Sequence, residues 1–424
     1  MKPIRSGCLS FYFCFLFTLV FLLLDRTAAE KKLKLVILVY RHGDRSPTKT
    51  FPLDKHQKDS WPDGFGQLTK IGMLQHYELG KYLKQRYAGF LNSSYSRHEV
   101  YVRSTDMDRT LMSAQANLAG LFPPSGDQIW NPNITWQPIP VHTVPRSLDK
   151  LLLMPFYNCP RYEQLQKETF SSERYHRLVK PYKDFLQQIS KYTGFSLKEL
   201  NQLVWTTYDA LFCEKIHNLT QPEWATNETM NKLRYLSEMS LSLLYGVHKQ
   251  DEKSRLQGGV VLNSILKNIT DFITMPSSHR KFIMYSAHDT TVAALQMALN
   301  VSNEKLPPYA SCHFFELYQN DNSEYIIEMY YRNDSSVAPH KLTLPGCTFN
   351  CPLQKFVELT SPIITNDWEK ECGNVEKSSE MTYIAREEER IAMKSKSKKK
   401  MTTRYPWNNK KLTQLFLPRP KVLL

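Results

Sequence analysis

Apolar residues in this chain follow two rhythms. Short unbroken runs stop at polar clusters, and longer stretches have the composition and spacing of helices. The first run, Leu35-Val36-Ile37-Leu38-Val39-Tyr40, predicts a strand buried on both faces of a parallel sheet. Val100-Tyr101-Val102 and Lys281-Phe282-Ile283-Met284-Tyr285 predict two more strands. Helix-forming sequence follows the three runs at 67–87, at 109–118 and at 292–299, the last rich in Ala, Leu, Gln and Met. Residues 325–331 read as a late antiparallel strand with 314–318 as its neighbour. Between about 160 and 250 strong strand signals are lacking, and 163–167, 182–191, 197–205 and 229–245 look helical. Gly258-Gly259 interrupts that pattern before a helix at 260–273. The expected architecture is α/β: a mostly parallel central sheet flanked by helices, formed by residues 30–159 and 251–372, with an all-helical insert domain at 160–250.

Each predicted parallel strand runs straight into chemistry. The first ends in Arg41-His42-Gly43-Asp44-Arg45-Ser46-Pro47. Ligands of open α/β sheets bind just outside the carboxyl ends of such strands. Two guanidiniums there suit a phosphate, whose oxygens match their forks. An imidazole among them suits nucleophilic phosphoryl transfer. The second strand leads into Arg103-Ser104-Thr105-Asp106-Met107-Asp108-Arg109-Thr110, which places Arg109 in the first turn of a helix. A cation is unfavourable at that end of a helix dipole, and a bound anion offsets the cost. The third strand ends in Ser286-Ala287-His288-Asp289-Thr290-Thr291. Asp289 also fits a plain helix cap, but a cap leaves His288 unexplained. The other histidines receive no role. His76 reads as solvent-facing or packed on its helix, while His142 and Trp205 are candidates for the rim of a substrate mouth.

Charge and cysteine usage then set the compartment. Residues 1–29 carry Lys2 and Arg5, an apolar core at 9–24, and Thr27-Ala28-Ala29, the pattern of a cleaved secretory signal. An uncleaved anchor is the alternative, since the apolar core is long for a signal. Six cysteines remain: Cys159, Cys213, Cys312, Cys347, Cys351 and Cys372. An even number behind a signal implies disulfides, and six allow fifteen connectivities. A zinc site is disfavoured, because Cys347 and Cys351 are the only close pair and no histidine lies nearby. Seven N-x-S/T sequons, from Asn92 to Asn333, fit the same route. The net charge of +14 misleads: residues 373–424 hold thirteen Lys/Arg against five Asp/Glu. That tail, with its run Lys394-Ser395-Lys396-Ser397-Lys398-Lys399-Lys400, reads as a solvated, disordered extension. It holds no apolar span of membrane length. The remainder is mildly basic, so a nucleic-acid partner is not indicated. Weak contact of the tail with polyanions or acidic membranes is the expected limit.

RHGDRSP, STDMDRT and SAHDTT, in this order and spacing, resemble the motifs of the histidine acid phosphatase family, over about 33–372 of the chain. The resemblance implies a phosphoglycerate-mutase-like sheet and a secreted acid phosphatase without cofactor or metal. By resemblance, His42 attacks phosphorus and becomes a phosphohistidine. Arg41, Arg45, Arg109 and His288 hold the phosphoryl oxygens, and Asp289 protonates the leaving alcohol. The physics agrees: three arginines disfavour a protonated His42, and bound phosphate raises the pKa of Asp289. The family further implies bridges Cys159–Cys372, Cys213–Cys312 and Cys347–Cys351, glycans on Asn92, Asn218 and Asn333, and a homodimer. It implies small phosphate monoesters as substrates, among them nucleoside monophosphates, lysophospholipids and phosphotyrosine, and admits a lysosomal destination. The alternatives are a phytase or other phosphoester hydrolase on the same scaffold, and a secreted binding protein that has lost turnover. All six site residues are present, which speaks against the latter.

Overall fold

The computed structural model describes residues 31–199, 202–276 and 279–373. The expected signal at 1–29 and the basic tail beyond Gly373 lie outside the described residues. Seven strands form one mixed sheet: β1 (Lys31–Arg41), β2 (Val100–Ser104), β3 (Phe282–Ala287), β4 (Cys312–Asn320), β5 (Tyr325–Arg332), β6 (His340–Leu342) and β7 (Cys351–Pro352). Their order is β2-β3-β1-β4-β5-β6, with β7 also on β5. The three strands read from the apolar runs are mutually parallel, with β3 between β1 and β2. β4 joins antiparallel on the other side of β1, and β5 pairs antiparallel with β4, the neighbour relation expected from the sequence.

Twelve helices are described: α1 (Lys70–Arg86), α2 (Asp108–Leu121), α3 (Pro160–Phe170), α4 (Glu173–Val179), α5 (Lys183–Thr193), α6 (Thr207–Ile216), α7 (Asn227–Tyr245), α8 (Gln250–Leu256), α9 (Gly258–Thr274), α10 (Asp289–Ala298), α11 (Leu353–Thr360) and α12 (Trp368–Cys372). The unbroken run in β1 is apolar because both sheet faces are covered. Val36, Leu38 and Tyr40 pack with Leu79 and Leu83 of α1 and Leu118 of α2. Leu35, Ile37 and Val39 turn the other way, onto Val261 and Ile265 of α9 and Leu295 of α10. At about 25 cal/mol per Å² of apolar surface, these two layers dominate the stability.

The stretch from α3 to α7 contains no strand among its described residues. It has its own apolar cluster, in which Phe51 from the segment after β1 packs with Leu186, Ile189, Leu211, Leu233 and Leu236. Cys159–Cys372 and Cys347–Cys351 are bonded. Cys213 and Cys312 are free thiols, which corrects the third expected bridge. Cys312 opposes Tyr40 in β1 and lies in the sheet face covered by α1 and α2. Cys213, on α6, instead directs its sulfur to Tyr309, 3.6 Å from the hydroxyl, and to Arg45.

Candidate active site

The parallel register places three strand ends side by side. Arg41 is level with Ala287, and Ser104 with Ser286. The chain leaving β1 stays attached to the next strand end, because the His42 amide donates to the Ala287 carbonyl at 3.0 Å. The Thr105 amide does the same to Ser286 at 3.2 Å. The sheet therefore collects His42, Arg109 and His288-Asp289 from positions far apart in sequence.

Glycine explains how the His42 loop packs. A Cβ on Gly43 would lie 2.3 Å from the Gly72 carbonyl oxygen, and one on Gly72 would lie 2.2 Å from that of Asp44. Backbone meets backbone here, so α1 sits directly under the loop. Thr69 caps α1, accepting from the Gly72 amide at 3.2 Å and donating to the Asp44 carboxylate. His217, just past α6, reaches the same carboxylate at 2.9 Å. His76 is fully buried and donates to the Arg41 carbonyl at 3.0 Å. Of its two readings, packed is the one realised: burial pushes its pKa down to about 4, so the ring is neutral.

His42 is 2 % exposed, and its Nδ1 lies 2.8 Å from the Gly43 carbonyl oxygen. An imidazole donating there carries its proton on Nδ1 and keeps the Nε2 lone pair free. Burial, then Arg109, Arg41, Arg45 and His288, holds its pKa well below the usual histidine value. His288 stands next to it, ring centroids 5.6 Å apart. Its Nε2 lies 2.9 Å from the Thr105 hydroxyl, and its Nδ1 accepts from Arg109 at 3.5 Å. Burial and Arg109 push its pKa down to about 3.

The arginines are held from the outside of the cluster. Arg41 donates to the Pro307 carbonyl at 2.6 Å, pairs with Asp289 at 2.8 Å, and lies over the Tyr309 ring at 4.1 Å. Arg45 pairs with Asp209 of α6 at 2.9 Å. Burial and the neighbouring Arg45 push the Arg109 pKa down to about 10. Among the described residues, the buried Nε groups of Arg41, Arg45 and Arg109 have no acceptor. Burial favours the neutral form of Asp289, but Arg41, Arg45 and His288 outweigh it and lower its pKa. With only protein around it, Asp289 is therefore an ionised partner of Arg41.

A cavity of 330 Å³ opens beside Arg41 and Asp289. Trp205, Tyr208, Phe212 and Tyr309 give it aromatic walls, and Asp209 and Arg234 are its other charged lining residues. Trp205 lies on a π-helical turn, Gln202–Thr206, ahead of α6. It thus borders the mouth as expected. His142 does not: it pairs with the outer edge of β2 and stacks on Tyr101 at 5.0 Å. Asp209, His76, His217 and Tyr309 escaped sequence reasoning. Each comes from a segment without a motif, and only the buried α1 spacing of Gly72, His76, Leu79 and Leu83 was there to be noticed. Asn92 and Asn218 are exposed, whereas Asn333, just after β5, is half-buried. Among the described residues, no group of three or more His, Cys, Asp or Glu is placed to hold a metal ion.

The parallel strand trio thus gathers two histidines, three arginines and a carboxylate at one end of the sheet. The chain belongs to the histidine phosphatase superfamily (branch 2), whose family model matches residues 32–332. It is 59 % identical over 350 residues to the prostatic acid phosphatase of Bos taurus, covering 82 % of this chain and 90 % of that one. It is 58 % identical over 342 residues to the lysosomal acid phosphatase of Rattus norvegicus, covering 81 % of this chain and 80 % of the relative. Among solved structures, the Hafnia alvei phytase in complex with tartrate superposes with a TM-score of 0.62 at 18 % identity, covering 81 % of this chain and 98 % of that one. That likeness concerns the fold alone.

Proposed function

We propose that this chain is an acid phosphatase that hydrolyses phosphate monoesters through a phosphohistidine on His42. The carrying observation is the convergence of groups at the strand ends: His42 beside His288, His288 on Arg109, and Arg41 on Asp289, with Arg45 on the loop that carries His42. Clustered guanidinium forks match the oxygens of a tetrahedral anion. Burial, and after it the same cations, lowers the His42 pKa and so favours the neutral ring that a nucleophile needs.

In this reading Nε2 of His42 attacks phosphorus, and the P–O bond to the alcohol breaks. Asp289 gives its proton to the departing oxygen. Water then attacks the phosphohistidine, Asp289 takes a proton from it, and the N–P bond breaks to release phosphate. Bound phosphate draws on Arg41 and adds negative charge, and both effects raise the Asp289 pKa. The cycle thus runs at acid pH, where Asp289 in the complex is protonated while His42 is still neutral. Arginines holding the equatorial oxygens stabilise the spread charge of the transition state.

The stretch at 160–250 supplies half of the residues that line the cavity for the leaving group. Its aromatic lining favours compact aryl, nucleoside or lipid-like alcohols. Arg234 is the one cation there besides Arg41, which speaks against inositol polyphosphates and hence against the phytase alternative. A secreted or lysosomal address is supported by the prostatic and lysosomal relatives. Glycans on Asn92, Asn218 and Asn333, a homodimer, and weak polyanion contact by the tail complete the proposal.

The deciding experiment assays the purified protein with aryl and alkyl phosphates at pH 5 in EDTA, with rapid quenching into alkali to trap labelled phosphate on the protein. Turnover in EDTA and acid-labile label that disappears in His42→Ala are expected. Activity that returns only with a divalent ion, or label that survives in His42→Ala, overturns the proposal.

A further inference from the structure

We propose that Asp209 is the positioning residue that aims Arg45 at the phosphoryl group. The helical stretch from α3 to α7 then contributes to the anion site itself as well as to the wall around it. This rests on the phosphohistidine reading.

Arg45 is held at one corner of its guanidinium. One of its terminal nitrogens, Nη1, takes every hydrogen bond the side chain makes within the protein: Asp209 Oδ2 at 2.9 Å, the Ser46 carbonyl at 3.2 Å and, more weakly, the Cys213 sulfur at 3.9 Å. Its Nε is buried without a partner. The guanidinium is therefore gripped at one corner, and Nη2 and Nε take no hydrogen bond among the described residues. The same Asp209 oxygen accepts from the Thr48 amide at 3.3 Å, so the carboxylate is fixed against the loop that carries Arg45.

Charge gives the second reason. Three buried arginines share this site, and after burial it is Arg45, with Arg41, that weighs against the Arg109 charge. Burial works against the Arg45 charge, yet Asp209 leads the opposing influences and raises its pKa well above the usual value. Arg109, without a carboxylate partner of its own, has its pKa lowered to about 10. Arg41 has a carboxylate, Asp289, but that is the group assigned to carry the proton and so to lose its charge during the cycle. Asp209 is the partner whose charge need not change. An anchor of this kind lets Arg45 meet the transition state without reorganising.

The alternative is that Asp209 merely fastens α6 to the loop after β1. A double-mutant cycle separates the two. Asp209→Asn and Asp209→Ala are measured alone and in an Arg45→Ala background, reading kcat/KM on nitrophenyl and alkyl phosphates. Binding of inorganic phosphate is measured by calorimetry, and folding is checked by circular dichroism. In the native background each substitution should lower kcat/KM by about a hundredfold, the scale of a misplaced site group, equally for both esters. Phosphate should bind more weakly. With Arg45 already removed, the same substitutions should change either readout by roughly threefold or less. An equal loss in both backgrounds makes Asp209 a structural fastener and overturns the inference. So does an undiminished kcat/KM in a folded Asp209→Asn protein. A loss much larger for the alkyl ester would instead make Asp209 a proton donor. Failure of the phosphohistidine reading is recognised separately, by label that survives in His42→Ala.

Discussion

Replacing Asp289 by asparagine should slow turnover while tightening the grip on phosphate. In the protein alone the carboxylate lies 2.8 Å from Arg41, with both side chains about nine-tenths buried. An incoming phosphate must share Arg41 with that negative charge. Two unit charges about 5 Å apart at an effective dielectric near 20 repel by roughly 3 kcal/mol, an upper bound of about a hundredfold in affinity. Asparagine keeps the shape and removes the repulsion, so inorganic phosphate should inhibit the variant at roughly tenfold to hundredfold lower concentration. Turnover should move the other way. Loss of a general acid typically costs about 10²–10⁴-fold, and the cost should fall mainly on alkyl phosphates, whose alkoxide leaves poorly without a proton. Nitrophenolate leaves readily, so the aryl ester should lose far less. The assay compares kcat/KM for the two esters and the inhibition constant for phosphate at pH 5. Equal losses on both esters would remove Asp289 from the role of proton donor. Phosphate inhibition that weakens or stays put would show that Arg41 is not shared as described.

Three further outcomes follow from other parts of the molecule. The Cys159–Cys372 bridge spans 213 residues, so a Cys159→Ser, Cys372→Ser variant should lose up to about 5 kcal/mol in the chain-entropy model; an unmoved denaturant midpoint, or peptide mapping that finds Cys372 reduced, contradicts this. Burial, with a hydrogen bond that protonated Glu214 donates to the neighbouring Asp54 carboxylate, pushes Glu214 from its ordinary 4.5 up to about 9. Between those values the folded protein keeps a proton that the unfolded chain has released, so stability should fall as pH rises from about 4.5 to about 9. Glu214→Gln should flatten that slope in denaturant titrations at several pH values, and an unchanged slope refutes the assignment. Truncation after Cys372 should leave turnover of a small ester intact but lower retention on heparin or anionic vesicles, with the difference shrinking as salt rises; a tenfold fall in turnover would show that the tail packs on the enzyme.

Much of this protein was legible in one dimension because its chemistry sits where local pattern changes. A doubly buried strand needs an unbroken apolar run, so Leu35 to Tyr40 announced β1, and the polar cluster behind it marked the strand end. The same rule found β2, β3 and the antiparallel pair β4 and β5. His42, Arg109, His288 and Asp289 were visible because each follows such a run within a few residues. Periodicity carries no information about pairing between distant segments. Nothing local could say that β3, some 240 residues after β1, lies between β1 and β2, or that Arg41 is thereby level with Ala287. The thiols of Cys213 and Cys312 show the same limit: the family resemblance implied their bridge, but in the fold both are free, Cys213 beside Tyr309 and Arg45 and Cys312 in the sheet face covered by α1 and α2. The resting state of Asp289 likewise depends on Arg41 standing 2.8 Å away, a separation set by sheet register. Sequence determined which groups are available and at which strand ends. Tertiary packing decided which of them meet, which charges are held apart from water, and that Asp209 and His76 belong with the site, because burial and through-space distance are properties of the folded chain alone.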